Sequence, residues 1–162
     1  MRKAFLLSLQ ALLLPGCWGY HSQADTPGRI RSVAVEAFQN RTLYTGLEFG
    51  LKEVLVKEIQ AKSALAVVSP GVADAVLEGR IVDFSRSVLK QDADGRDVEF
   101  QIILSAEFSL RERRTGKLLF DREPVNVSKS FLLIKGETEA TARERGMSRL
   151  AEKIVNVITL RW

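Results

Sequence analysis

Apolar and polar positions alternate most cleanly between Asp97 and Arg111. Val98, Phe100, Ile102, Leu104, Ala106, Phe108 and Leu110 share one parity. Asp97, Glu99, Gln101, Ser105, Glu107, Ser109 and Arg111 share the other, with Ile103 the exception. Successive strand side chains point to opposite faces, so this segment reads as a strand with one dry face and one wet face. The segment before it, Val76 to Leu89, alternates only in halves. Leu77, Gly79 and Ile81 have one parity, and Val82, Phe84 and Val88 the other. One inserted residue near Ile81–Val82, a β-bulge, reconciles the halves. Asp92-Ala93-Asp94-Gly95 predicts the turn between these two strands, and Arg114-Thr115-Gly116 the next turn. Lys117 to Ser130 then supplies a fifth strand, which Pro124 breaks or places at an edge.

Earlier in the chain the period changes. Ile30 to Phe38 reads as a first strand, and Gln39-Asn40-Arg41-Thr42 as a polar break. Leu47, Leu51, Val54, Leu55 and Ile59 fall on one face of a helix from about Thr45 to Lys62. Thr45 and Glu48 have the spacing of a capping box at its start. Ala64 to Val68 is a short second strand, stopped by Ser69-Pro70-Gly71. A last helix runs from about Thr138 or Thr141 to Thr159, with Thr141 and Glu144 again spaced as a capping box. Met147, Leu150, Ala151, Ile154, Val157 and Ile158 form its apolar face. Two amphipathic helices and a sheet with one apolar face predict an α+β two-layer sandwich. The sheet is mostly antiparallel, of four to five strands, with both helices packed on one face.

The beginning of the chain is of another kind. Met1-Arg2-Lys3 precedes an apolar run, Ala4 to Leu14, interrupted only by Ser8 and Gln10. A positive start followed by a short apolar run is the pattern of a signal peptide. The run is too short for a good membrane span. It ends in Leu14-Pro15-Gly16-Cys17, which looks like a lipobox, although Pro15 departs from the usual small residue. Cleavage before Cys17 would leave 1–16 as a signal peptide, 17–28 as a lipidated tether and 29–162 as a single domain. One acyl chain anchors only marginally, so a lipoprotein carrying several, palmitate among them, is held far more firmly. Cys17 is the only cysteine, so no disulfide within the chain supports the fold. Trp18 follows it instead of aspartate. By resemblance to lipoprotein sorting, that points to the outer membrane, on its periplasmic side.

Composition changes little. The chain is 46% hydrophobic and 27% charged, ordinary for a globular domain. Its formal charge is +4, of which Arg2 and Lys3 supply two. So small an excess on an exported protein gives no reason to expect a nucleic-acid partner.

No catalytic constellation emerges. His21, the sole histidine, lies in the tether, away from any serine-based triad. Asp92-Ala93-Asp94-Gly95-Arg96-Asp97 lacks the third ligand and distal glutamate of a calcium loop, so a plain turn is the better reading. No metal or other cofactor is implied. The basic residues carry the remaining chemistry. Arg80, Arg86 and Lys90 lie along the third strand, and Arg111, Arg113, Arg114 and Lys117 near the turn after the fourth. Such groups grip phosphate or carboxylate. Glu99, Glu107, Glu112 and Asp121 are close enough in sequence for the alternative, a solvated and balanced face.

Several runs together resemble one family. They are Gly19-Tyr20-His21 and Val33-Ala34-Val35-Glu36-Ala37-Phe38-Gln39-Asn40-Arg41-Thr42, then Gly46-Leu47-Glu48. Further along come Ala73-Asp74-Ala75-Val76-Leu77-Glu78-Gly79-Arg80-Ile81, Asp94-Gly95-Arg96 and Arg114-Thr115-Gly116-Lys117-Leu118-Leu119. In that order they resemble the lipopolysaccharide-assembly lipoproteins, the LptE family. The resemblance implies a non-enzymatic outer-membrane lipoprotein that plugs the β-barrel LptD. It also implies lipopolysaccharide as a possible ligand. Arg80, Arg86, Arg111, Arg113 and Lys117 are then the candidate residues for its anionic groups. The competing reading is a periplasmic adaptor that regulates a cell-wall synthase or builds a secretion channel. The Val33–Val68 opening suits it, but the long meander from Val76 to Phe131 does not.

Overall fold

A computed structural model describes residues 30–133 and 136–160, so the expected signal peptide, Cys17, Trp18 and the tether with His21 lie outside the described residues. The elements in order are β1 (Ser32–Val35), β2 (Gln39–Asn40), α1 (Leu47–Lys62), β3 (Ala66–Val67), β4 (Ala75–Gln91), β5 (Asp97–Glu112), β6 (Leu118–Leu132) and α2 (Glu139–Leu160). The strands form one six-stranded sheet in the order β3-β1-β4-β5-β6, with β2 also paired to β4. β1 is parallel to both β3 and β4. β4, β5 and β6 form an antiparallel meander. The α+β sandwich expected from the sequence is therefore present.

Alternation builds the core. Every even position of β5 from Val98 to Leu110 is buried, and the odd ones are partly exposed. β4 opposes Leu77 to Leu110, Ile81 to Ala106 and Phe84 to Leu104. The register shifts between Ile81 and Asp83, so Val82 is the inserted residue that the broken alternation required. α1 lays Leu47, Leu51, Leu55 and Ile59 on this face, and α2 lays Leu150, Ala151, Ile154, Val155 and Ile158 there. Among the described residues no polar or charged side chain is buried. Lys62 at the end of α1 bonds Glu58 (2.6 Å) and crosses to Glu152 of α2 (3.0 Å).

Three local expectations need correction. The polar break at Gln39–Thr42 contains β2, whose two residues pair with Arg80 and Ile81. A strand this short has no room to show an alternation. The Thr45–Glu48 capping box does not form. The N-cap is Gly46 at φ 85°, without a side-chain cap bond. Glu48 instead accepts from Asn40 Nδ2 (2.8 Å), which also donates to the Tyr44 carbonyl (2.5 Å). At α2 the cap is Thr138, whose Oγ1 accepts from the Thr141 amide (3.2 Å). Of the two expected starts, Thr138 is realised, and Thr141 lies inside the first turn.

Gly79 lies beneath the ring of Phe38, which is itself buried. A Cβ there would stand 2.5 Å from Phe38 Cε1 and 2.4 Å from the Glu107 carbonyl oxygen, and one of those two neighbours is backbone. Gly79→Ala should therefore lower unfolding stability by about 1–3 kcal/mol. A urea midpoint equal to wild type would show that the strand opens without cost.

Candidate functional site

The helices cover one sheet face and leave the other open. Cross-strand partners define the open face. Its centre is small and polar: Asp83, Ser105 and Asn126 in one row, Ser85, Ile103 and Ser128 in the next, then Ser87, Gln101 and Ser130. Charged groups flank it at both ends, Lys90, Asp97 and Glu99 towards the β4–β5 turn and Glu78, Arg80, Glu107 and Arg111 towards the β5–β6 turn. There Arg80 donates from Nε (2.9 Å) and Nη2 (2.7 Å) to Glu107 Oε2. Arg111 donates from Nη2 to Glu78 Oε1 (2.9 Å). Each arginine is matched by a carboxylate on the neighbouring strand. Both pairs are part-exposed, where an ion pair is worth only about 0–1 kcal/mol.

The five candidate residues do not converge on one cluster. Arg80 and Arg111 share the open face. Arg86 does not, because the residue inserted at Val82 turns it with Phe84 to the helix side. There it sits 4.7 Å from the centre of the Phe100 ring and donates to Glu139 of α2 (2.8 Å). Arg113 is a brace: its Nε donates to the Ala73 carbonyl (2.6 Å) and its amide to the Asp74 carbonyl (2.8 Å). Lys117 is exposed on the β5–β6 turn, and its side chain makes no ion pair among the described residues. Glu78, Glu107 and Glu139, the partners of these cations, were absent from the sequence expectation except for Glu107. The signal was available in part, since Glu78 and Glu107 have the open-face parity of Arg80 and Arg111.

Asp74 fixes the place where the chain enters the sheet. Its Oδ2 accepts from the amides of Arg31 and Ser32 (both 2.9 Å) and from the Ser32 hydroxyl (2.8 Å). The Arg31 amide foremost, with Ser32, holds this carboxyl below the usual aspartate value against the opposing effect of burial. A further feature is an open cleft of about 510 Å³ between α1 and the ends of β1 and β3. Val35, Ala37, Val56 and Val67 line it, with Glu36 and Lys52 as its charged groups. Among the described residues no group of His, Cys, Asp and Glu could hold a metal ion. No described helix is long and apolar enough to cross a membrane.

The family described as LptE, lipopolysaccharide-assembly, matches residues 30–158. The chain belongs to the LptE family. Solved structures share the fold. Uncharacterized lipoprotein B from Nitrosomonas europaea superposes with a TM-score of 0.60 at 13% identity, over 82% of this chain and 84% of that one. Rare lipoprotein B from Shewanella oneidensis gives 0.53 at 14% identity, over 79% and 95%. A minor lipoprotein from Acinetobacter baumannii gives 0.52 at 15% identity, over 82% and 93%. No curated protein sequence matches the chain. The LptE family is a family of non-enzymatic lipoproteins, and its members serve lipopolysaccharide assembly.

Two measurements probe these contacts. Arg86→Ala should destabilise the fold by about 1–2 kcal/mol, because it removes a cation–π contact and an ion pair together. Arg80→Ala and Arg111→Ala should each cost no more than about 1 kcal/mol. Equal losses at all three positions would contradict the placement of Arg86 on the helix side. Asp74→Ala should lower stability near neutral pH by about 1–3 kcal/mol, through loss of hydrogen bonds to a charged acceptor. Because the folded-state pKa is depressed, that contribution is complete above the unfolded value near 3.9 and disappears as pH falls through the folded value. The gap between wild type and variant should thus begin to narrow at about pH 4 and close only below the folded value. A gap that persists in acid would assign it to packing.

Proposed function

We propose that this protein is an outer-membrane lipoprotein, acylated at Cys17 and facing the periplasm, which supports the LptD barrel as lipopolysaccharide is delivered to the outer leaflet. The observation that carries this reading is the family match across residues 30–158. Its structural support is the open sheet face. A plug in a polar barrel lumen needs a surface that stays wet and offers hydrogen bonds, and Ser85, Ser87, Ser105, Asn126, Ser128 and Ser130 supply one. The signal-peptide and lipobox pattern supplies the anchor. The candidate residues divide between two tasks. Lys117, with Arg114 beside it, presents cations for the phosphates of a lipopolysaccharide headgroup. Arg80 and Arg111 join them only by exchanging Glu107 and Glu78 for the ligand, while Arg113 braces the turn at Ala73 and Asp74 and Arg86 holds α2 to the sheet.

The test begins with tagged full-length protein purified from detergent-solubilised membranes. A large outer-membrane β-barrel should copurify in near-equal amount, and the Cys17→Ala variant should lose membrane attachment. Recovery of a cell-wall synthase or a homo-oligomeric ring in place of the barrel would overturn the assembly reading in favour of the adaptor. Binding to purified lipopolysaccharide tests the headgroup site separately. Reversing Lys117 and Arg114 together to glutamate should weaken it by roughly thirtyfold, from about 1 kcal/mol for each exposed charge. Unchanged binding would exclude the β5–β6 turn as the contact.

A further inference from the structure

The sheet has two long strands with unpaired outer edges, and they are guarded differently. A free strand edge presents backbone N–H and C=O groups that can accept another strand, and proteins ordinarily block it. β6 is blocked. It contains Pro124, its backbone twists at Arg122 (φ 47°), and Lys153 of α2 donates to the Asn126 carbonyl (2.8 Å). β3, at the opposite end of the sheet, is only two residues long. β4 is different. Its outer side pairs with β1 at Ala75–Leu77 and with β2 at Arg80–Ile81, and the Arg41 amide closes on the Ile81 carbonyl (3.0 Å). Beyond Val82, among the described residues, β4 pairs only with β5.

The stretch Asp83–Val88 lies between the register shifts at Ile81/Asp83 and Val88/Lys90, and pairs with β5 without interruption. It contains no proline. The charge of Arg86 is taken by Glu139 and the Phe100 ring, so it does not guard the edge. The surroundings are apolar. Tyr44 lies against Phe84, with ring centres 4.4 Å apart. Leu43, next to Tyr44 in the chain, is 100% exposed, and Val82 and Val88 on β4 are exposed as well. An arriving strand would find open backbone along its length, apolar side chains at its helix-side flank and Asp83, Ser85 and Ser87 at its polar flank.

We propose that an extended segment of the β-barrel partner adds to this edge as a further strand along Asp83–Val88. The inference rests on the assembly reading above and names one of its contacts. It requires a segment that alternates: apolar residues towards Leu43 and Tyr44, polar ones towards the open face. A second copy of this chain fits poorly. Antiparallel pairing of two free β4 stretches about a two-fold axis uses the whole stretch from Asp83 to Gln91 only when it centres on Ser87. That register sets Ser85 against Leu89 and Phe84 against Lys90. The irregularity at Val88–Lys90 then brings a core-side residue opposite an open-side one.

The experiment uses full-length protein copurified with its barrel. Amide exchange across Asp83–Val88 is compared in the complex and in the free lipoprotein, and a photo-crosslinker is placed at Ser85 or Ser87. Exchange should slow roughly tenfold or more in the complex, with crosslinks landing in one extended stretch of the barrel. Leu43→Lys, at an exposed position where the fold has little to lose, should lower barrel recovery severalfold. If the barrel copurifies while these amides exchange at the free rate, strand addition is wrong and the assembly reading survives. If no barrel copurifies, the assembly reading itself fails. Crosslinks to a second copy, or to residues 1–29 of the same chain, would assign the edge to another occupant and overturn the proposal.

Discussion

One inserted residue, Val82, decides how the two ends of the molecule are joined. β4 is 17 residues long and must serve two neighbourhoods. Before Val82 it lies between β5 and the parallel strands β1 and β2, and buries Leu77 and Ile81 beneath α1. After Val82 its outer neighbour is gone, and it buries Phe84 with Leu104. Without the insertion a strict two-residue period would turn Phe84 to the open face. Exposing one such ring costs about 1.5–3 kcal/mol. The bulge also terminates the parallel pairing, because the chain leaves β2 at Arg41 and the loop crosses to set Tyr44 on Phe84. The inward turn of Phe84, and with it the far half of the core, thus depends on one extra residue.

The same shift explains the distribution of charge. Arg86 follows Phe84 to the helix side, where a cation lacking a partner would be expensive to cover. Phe100 offers its ring face and α2 offers Glu139 in its first turn, a position where a carboxylate also suits the helix dipole. Arg86 therefore joins α2 to the hairpin across the edge of the core. Arg80, on the other side of Val82, remains on the open face and meets Glu107. Two arginines six residues apart on one strand have come to do different work, one structural and one at the surface.

Much of this was legible in the residues, and the failures have specific causes. The alternation of β5, the apolar stripes of both helices and the bulge itself all follow from periodicity, which is set by backbone geometry and needs no partner. β2 was not legible, since two polar residues paired by backbone alone leave no side-chain pattern. The cap of α1 was misread because Asn40 competes for Glu48, and that competition exists only once β2 has formed. Arg86 is a different failure. The parity that moves Phe84 inward also moves Arg86, so grouping it with Arg80 contradicted the bulge already inferred. Arg113 was beyond sequence reasoning, since its partner is a backbone carbonyl of a distant turn.

The open face limits the kind of partner this fold can hold. Its central rows carry Ser, Asn, Gln and Asp, with Ile103 the main apolar interruption, so burying it gains little from the hydrophobic effect. Its arginines are already neutralised by Glu78 and Glu107, so an anion must displace a carboxylate before it gains a cation. What such a face offers is many weak hydrogen bonds, each worth about 0.5–1.5 kcal/mol net and none sufficient alone. A stable complex must then draw on directional or permanent restraints elsewhere. Lipid at the start of the chain would hold the protein in the plane of the membrane, and an unguarded strand edge provides direction. Apolar Leu43, which is 100% exposed, adjoins Tyr44, whose ring lies against Phe84 of that strand. The fold thus separates a wet, hydrogen-bonding face from a narrow border where β4 has no outer strand and exposed apolar Leu43 lies next to Tyr44.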